Sequence, residues 1–197
     1  NLGIPAYQTN ATHVYRMSKE NVFAYGDFRH YRKEFRQMPE EQRIEGIKLA
    51  KSQLERRFEG EVGVDMSYSS KSAFGRRRKR SLLGKGKRKK ILIATHCFFD
   101  SPHAYGNNLF PDFFEWLEFL GRLTEVTDYD WYIKAHPDFL PKTGKVLRYL
   151  VKKYPRLVLL PAQSSHHQII SEGIDVALTT YGTIGAEYSA LGIPVVN

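Results

Sequence analysis

Cysteine is nearly absent from this sequence: Cys97 is the only one among 197 residues, so no disulfide can form within the chain. No stretch approaches the roughly 18–20 consecutive apolar residues that a membrane-spanning helix needs, and no signal-peptide pattern opens the chain. Neither C-x-x-C nor H-x-x-x-H occurs, so the usual ligand spacings of a zinc site are missing. The scarcity of cysteine favours a reducing compartment. Together these absences lead us to expect a cytoplasmic protein with no metal and no cofactor.

Acidic residues are missing from the segment between Arg76 and Lys90, which holds ten lysines and arginines. The chain has 30 basic residues, so 20 remain outside this segment against 21 acidic ones, and the net charge of +9 belongs to the segment. Because glycine and serine separate the charges, a solvated linker is the main interpretation. Contact with an anionic substrate, or with anionic lipid at the inner face of the plasma membrane, is the alternative. Nucleic acid is disfavoured because no aromatic residue is interleaved with the charges.

Two amphipathic helices are predicted in residues 1–75. Apolar residues at helical spacing predict the first over 27–37, with Asp27 as its cap. The second is predicted to begin at Pro39 and to end at Gly60, with an apolar stripe of Ile47, Ala50, Leu54 and Phe58. We interpret both as packing structure that follows the tail of an N-terminal domain. Since the chain begins without Met and ends inside a predicted strand, we expect it to be a fragment.

Strand and helix patterns alternate from residue 91 onward. Short apolar runs predict strands at 91–95, 131–134, 157–160, 174–178 and 193–196. Amphipathic patterns between them predict helices at 110–127, 142–154, 165–171 and 186–191. This alternation predicts an α/β fold: a doubly wound, parallel, Rossmann-like sheet over 91–197, preceded by the helical segment 1–75 and the linker 76–90.

Polar residues cluster after these strands, at the edge where open parallel sheets bind their ligands. Five of the seven histidines fall there: His96, His103, His136, His166 and His167. Metal ligation lacks its usual spacings, and a nucleophilic pair of Cys97 with a histidine is a second possible role. Anion binding fits best, with Lys134 and His136 as cationic donors and Ser164 among the binding residues.

Residues 173–197 read as a strand, a glycine turn, a helix and a further strand. Gly182 and Gly185 allow an anion to approach the main chain, and unpaired N–H groups at a helix start favour negative charge. Candidate hydroxyl donors to a phosphate are Thr179, Thr180 and Thr183. Glu187 cannot help to bind phosphate, but its carboxylate can accept hydrogen bonds from ribose hydroxyls. The alternative is an ordinary βαβ turn with a capping threonine.

Two motifs carry a resemblance to a known family. The first, Lys134-Ala135-His136-Pro137, is similar to the HP motif of transferases that use CMP-activated Kdo or sialic acid. The second, DVALTTYGTIGAE at 175–187, is similar to the phosphate turn and ribose-binding acid of the same proteins. On these residues, 91–197 resembles the nucleotide-binding, C-terminal half of a GT-B glycosyltransferase, and within that class bacterial capsular-polysaccharide biosynthesis proteins.

The resemblance implies a nucleotide-sugar donor, with a CMP-sugar favoured, and a glycan or lipid-linked acceptor. It implies Lys134 and His136 near the donor phosphate, the threonines beside it, Glu187 on the ribose, and electrostatic catalysis without a metal. Asp100 is the only strand-end carboxylate that we nominate as a catalytic base. CDP-glycerol transferases and UDP-sugar 2-epimerases share the HP pair and stay open as alternatives, although epimerases have two adjacent glutamates where this chain has Ala186-Glu187. The non-enzymatic alternative is a module that docks on a polyanion or a membrane through 76–90.

Overall fold

The computed structural model describes residues 4–9, 14–19, 30–64, 69–96, 98, 109–138 and 141–197. Asp27, Cys97, Asp100 and His103, which carry expectations from the sequence, lie outside these residues. The described elements follow in the order β1 (Tyr7–Thr9), β2 (Val14–Arg16), α1 (Tyr31–Gln37), α2 (Glu40–Phe58), β3 (Lys90–Ala94), α3 (Phe113–Val126), β4 (Asp130–Lys134), α4 (Pro141–Lys153), β5 (Leu157–Leu160), α5 (His166–Ser171), β6 (Val176–Leu178), α6 (Ile184–Ala190) and β7 (Val195–Val196).

The last five strands form one parallel sheet in the order β5-β4-β3-β6-β7, while β1 and β2 form a separate antiparallel pair. The first strand of the sheet, β3, lies at its centre and pairs with β4 on one side and with β6 on the other. The order of the strands therefore reverses between β3 and β6, which is the topological switch point where such sheets bind ligands. The predicted α/β class and its parallel sheet are confirmed.

Helices cover both faces of this sheet because successive strand residues point to opposite sides. On one face, Ile91 and Ile93 of β3 belong to a core built with apolar residues of α3 and α4. On the other face, Leu92 belongs to a second core with Ile169 of α5 and Tyr188 of α6. Because residues on both faces of each strand are buried, the strands appear in the sequence as nearly continuous apolar runs.

Several element boundaries differ from the predicted ones. α3 begins at Phe113 and not at residue 110, because the carboxylate of Asp112 accepts a hydrogen bond of 2.8 Å from the amide of Glu115 and caps the helix. Pro39 precedes α2 with an extended ψ of 143° and is not its first helical residue. α6 already begins at Ile184, which still leaves Glu187 in its first turn.

The expectation that α1 and α2 are packing helices is wrong for most of their length. Neither helix contains a buried residue, and Ile47 of the predicted stripe is 44% exposed. The end of α2 is less exposed: the ring of Phe58 lies edge-on to that of Phe74, with their centroids 5.0 Å apart. An amphipathic pattern shows that a helix has an apolar face but not what covers it. No helix in the described part of the chain is long and apolar enough to span a membrane.

The basic segment, residues 76–90, keeps its charged side chains exposed from 76 to 89, but its backbone is anchored. The side chain of Gln168 accepts a hydrogen bond of 2.7 Å from the amide of Arg78 and donates one of 3.0 Å to the carbonyl of Arg80. Glu172 accepts a bond of 2.7 Å from the amide of Leu83, whose side chain is buried in the second core. The expectation of a solvated linker therefore describes the charged side chains and not the backbone.

Candidate functional site

Threonine hydroxyls join the strand ends at the switch point. Thr179, directly after β6, donates a hydrogen bond of 3.2 Å to the carbonyl of Ala94 at the end of β3. Thr95, directly after β3, donates one of 3.2 Å to the carbonyl of Lys134 at the end of β4. These bonds link the ends of three strands. We call this region the carboxyl edge (Ala94, Lys134 and Leu178 with the loops that follow them). They also commit the Thr179 hydroxyl proton, so this hydroxyl has a structural role that the sequence did not indicate.

Lys134 is the buried cation of the carboxyl edge. Its side chain is 2% exposed and donates a long hydrogen bond of 3.5 Å to the carbonyl of Ala135. Burial lowers the pKa of Lys134 to about 8, and the negative charge of Glu187 partly opposes that effect. The two groups come from β4 and α6, so the structure brings together the two sequence motifs that carried the resemblance.

The glycine turn, residues 179–185, contains a backbone hydrogen bond of its own. The amide of Gly185 donates to the carbonyl of Gly182 at 2.9 Å. A Cβ atom at Gly182 would lie 2.4 Å from the hydroxyl of Thr179, which explains the glycine by close packing within the turn. Thr180 is half-buried in the same turn. Because the Gly185 amide is engaged within the turn, it is not available to an anion, contrary to the expectation from the sequence.

An arginine that the sequence did not predict reaches this turn from α2. Arg57 donates to the carboxylate of Glu187 twice, from Nε at 2.9 Å and from Nη2, and also donates to the Thr183 hydroxyl at 3.3 Å. Glu187 is 3% exposed. The expected ribose-binding acid is therefore already engaged in an ion pair with a residue 130 positions earlier. No local pattern links two positions so far apart, and only the fold joins them.

A buried imidazole lies beneath the turn. His166 at the start of α5 shares a hydrogen bond of 2.6 Å between its Nδ1 and the hydroxyl of Tyr188. Burial, together with the charges of Lys134, His167 and His136, lowers the pKa of His166 well below its ordinary value. Burial likewise raises the pKa of Tyr188. His166, one of the five histidines at the strand ends, is thus a neutral structural group.

The other predicted residues of this edge divide into three groups. His136 accepts a hydrogen bond of 3.1 Å at Nδ1 from the amide of Asp138, which leaves the proton of the neutral ring on Nε2. His96 is its neighbour, with ring centroids 6.1 Å apart. His167 instead bonds the carbonyl of Phe58 at 2.7 Å and so holds the end of α2. Ser164 is buried, and among the described residues its hydroxyl has no hydrogen-bond partner.

The charges of this arrangement suit an anion better than a metal ion. Within the described residues, no three or more His, Cys, Asp or Glu side chains are grouped so that they could hold a metal. A cavity of about 360 Å³ does occur at the opposite edge of the sheet, lined by Gly84, Arg88, Asp130, Tyr132 and Arg156 among others. Asp130 begins the strand that Lys134 ends, so this cavity lies about 13 Å from the carboxyl edge. This cavity is therefore not part of the carboxyl edge.

The chain was compared with family models, with curated proteins and with solved structures, and no match was found in any of the three comparisons.

Proposed function

We propose that residues 91–197 are the donor-nucleotide-binding part of a glycosyltransferase of surface-polysaccharide assembly, with a CMP-sugar as the favoured donor. The observation that supports this most strongly is the convergence of Lys134, Glu187 and Thr183 at the switch point of a parallel sheet. Nucleotide phosphates bind at this position in open α/β sheets. The resemblance of both motifs to capsular-polysaccharide proteins supplies the reaction class.

In this proposal, catalysis is electrostatic. As the bond between sugar and phosphate lengthens, negative charge builds on the departing nucleotide. A buried ammonium group stabilises this charge more strongly than an exposed one because little water competes for it. Lys134 supplies that group, and His136 donates to the phosphate from Nε2 in the tautomer that its Nδ1 contact requires. The base that accepts the acceptor's proton is Asp100 or a group of another domain.

Calorimetry tests this proposal with CMP and CDP first and UDP next, on protein shown to be folded. We expect His136→Ala to weaken binding about tenfold or more, since a hydrogen bond to a charged group is lost. His30→Ala is the matched control because His30 lies before α1, in an exposed part of the chain. Binding of none of the three nucleotides, or equal effects of the two substitutions, would contradict the proposal.

The enzymatic alternatives share the nucleotide site and differ in their reaction. A UDP-sugar 2-epimerase inverts a sugar carbon without any acceptor, whereas a CDP-glycerol transferase releases CMP only when an acceptor is present. Incubation with UDP-N-acetyl sugar, and separately with CDP-glycerol and a polyol phosphate acceptor, distinguishes them. Turnover of either substrate by the chain would replace the CMP-sugar assignment.

A non-enzymatic function is favoured by one observation, the basic segment. Its side chains from Arg76 to Arg80 are exposed, while Gln168 fixes the backbone at Arg78 and Arg80. A row of exposed cations on an anchored backbone attracts anionic lipid headgroups at about 1 kcal/mol for each residue near the surface. This docking function and the nucleotide site use separate residues, so one experiment on each can tell them apart.

A further inference from the structure

We propose that the exposed part of α2 is a self-association surface, through which two copies of the chain pair with their α2 helices antiparallel. The inference goes beyond the proposed function, because residues 40–51, which it uses, lie outside the carboxyl edge. It is carried by an apolar seam on an exposed helix and by charges that complement each other in this arrangement.

The seam is a heptad repeat along α2. Steps of three and four residues separate Ile44, Ile47, Lys51, Leu54 and Phe58, which places them on one face of the helix. Ile44 is 61% exposed and Ile47 44% exposed, whereas Leu54 and Phe58 are half-buried. Single exposed apolar residues are common on protein surfaces. Two neighbouring ones in the repeat by which coiled-coil helices pair indicate a surface for another helix.

The charges along the seam indicate which helix fits it. Glu40 and Glu41 lie in the first turn of α2, and Lys48 and Lys51 follow two to three turns later. All four side chains are exposed, and none of them is in an ion pair within the described part of the chain. A surface with glutamates at one end and lysines at the other is complementary to a second copy of itself that runs in the opposite direction.

One antiparallel register places the exposed isoleucines together. With the twofold axis at the centre of residues 40–51, Ile44 of each copy lies opposite Ile47 of the other, so four isoleucines form the core of the contact. This core is small, since stable interfaces bury about 1,200 Å² or more in total. We therefore expect a weak dimer, with a dissociation constant in the micromolar range.

The same register pairs opposite charges. Glu40 lies opposite Lys51 and Glu41 opposite Lys48, on both sides of the twofold axis, while Arg43 lies opposite an alanine. In a parallel pair, Glu40 would instead face Glu40 and Lys51 would face Lys51, so like charges would meet. Exposed ion pairs add little affinity, and their role here is to select the antiparallel orientation.

Sedimentation equilibrium on the full chain tests the inference over a concentration range of about 5–500 μM. We expect the average mass to rise from that of one chain towards that of two and not beyond, because a twofold contact closes on itself. The mass of one chain at every concentration would overturn the inference, and so would growth beyond two chains.

Two matched substitutions test the seam. Ile44→Ser removes two of the four central isoleucines, one from each copy, so we expect dimerisation to weaken about tenfold or more. Leu49→Ser is the control, because Leu49 is 60% exposed but lies five residues further on, on the opposite side of the helix. Its dimerisation should match that of the wild type. Circular dichroism verifies that both variants keep their helix content. Equal effects of the two substitutions would overturn the inference.

Charge reversal tests the register. Glu41→Lys and Lys48→Glu each place like charges opposite one another, so we expect each to weaken dimerisation about threefold or more. The double variant restores both pairs with their charges exchanged, and its dimerisation should return to within about threefold of the wild type. A mixture of the two single variants should associate more tightly than either variant alone. A double variant that dimerises no better than the single ones would show that the antiparallel register is wrong.

Discussion

At the scale of single residues, Lys134 is the least ordinary group in the described part of the chain. A lysine side chain that is 2% exposed has lost most of its hydration, and a direct hydrogen bond restores only a little of it. The charge of Glu187 compensates in part. Strongly shifted pKa values cluster at functional sites, where a buried charge can act on a ligand.

The pKa of Lys134 predicts how stability depends on pH. The pKa is about 8 in the folded chain, against an ordinary 10.5, so between these values the unfolded chain binds a proton that the folded chain does not. The free energy of unfolding therefore rises with pH in this window. We expect the wild type to gain about 2–3 kcal/mol relative to Lys134→Met between pH 7.5 and 10.5. Urea denaturation of both proteins at several pH values measures the difference, and parallel profiles would contradict the assignment.

The same residue predicts the pH dependence of binding. Above a pH of about 8, Lys134 loses its proton and the site loses one positive charge. We expect the affinity for CMP to fall as pH rises from 7 to 9, and the Lys134→Met variant to bind weakly without this dependence. The comparison uses calorimetry at fixed ionic strength. An affinity of the wild type that stays constant across this range would show that Lys134 does not face the phosphate.

At the scale of elements, local sequence patterns predicted the sheet domain well. All five strands and the four helices of 91–197 lie at or near their predicted positions, because strand runs and helical spacing record which side of each element is buried. The helix starts were less accurate, since α3 begins only after its Asp112 cap. The apolar stripe of α2 was read correctly as helical but wrongly as packed, because a periodic pattern carries no information on the partner surface.

The packing of α3 gives a prediction at this scale. A Cβ atom at Gly121 would lie 2.3 Å from the ring of Tyr154, which is 4% exposed and whose hydroxyl bonds Glu118 at 2.9 Å. Since this ring has little room to move, we expect Gly121→Ala to destabilise the fold by about 1–3 kcal/mol.

Gly46→Ala in α2 is the matched control for this prediction. A Cβ atom at Gly46 meets nothing within 4 Å, so the change should be neutral or should stabilise α2 by about 0.5–1 kcal/mol. Chemical denaturation compares the two variants. If Gly121→Ala proved as stable as Gly46→Ala, the close packing of α3 against Tyr154 would be wrong.

At the scale of the whole molecule, the candidate site is assembled from distant parts of the chain. The sequence indicated Lys134, Thr183 and Glu187, because strand ends of a parallel sheet meet at one edge. It could not indicate Arg57, which lies 130 residues from Glu187, nor that His166 is buried against Tyr188. Both contacts depend on how α2 and α5 pack against the rest of the fold. This packing leaves no local pattern in the sequence.

The basic segment gives a prediction for the molecule as a surface. We expect the chain to sediment with vesicles containing phosphatidylserine, and the variant with Arg76, Arg77, Arg78, Lys79 and Arg80 all changed to Gln to bind them at least about tenfold more weakly. The substitution is preferable to deletion of the segment, because Leu83 belongs to the second core. Nucleotide affinity should stay unchanged in the variant. Equal vesicle binding by the two proteins would exclude this docking function.

The central claim is that a nucleotide phosphate binds at the carboxyl edge. A crystal structure of the chain with CMP tests it most directly. We expect the phosphate within hydrogen-bonding distance of Lys134, with the Thr183 hydroxyl beside it. A nucleotide bound elsewhere, for example in the cavity between Arg88 and Arg156 at the opposite edge, would contradict the account.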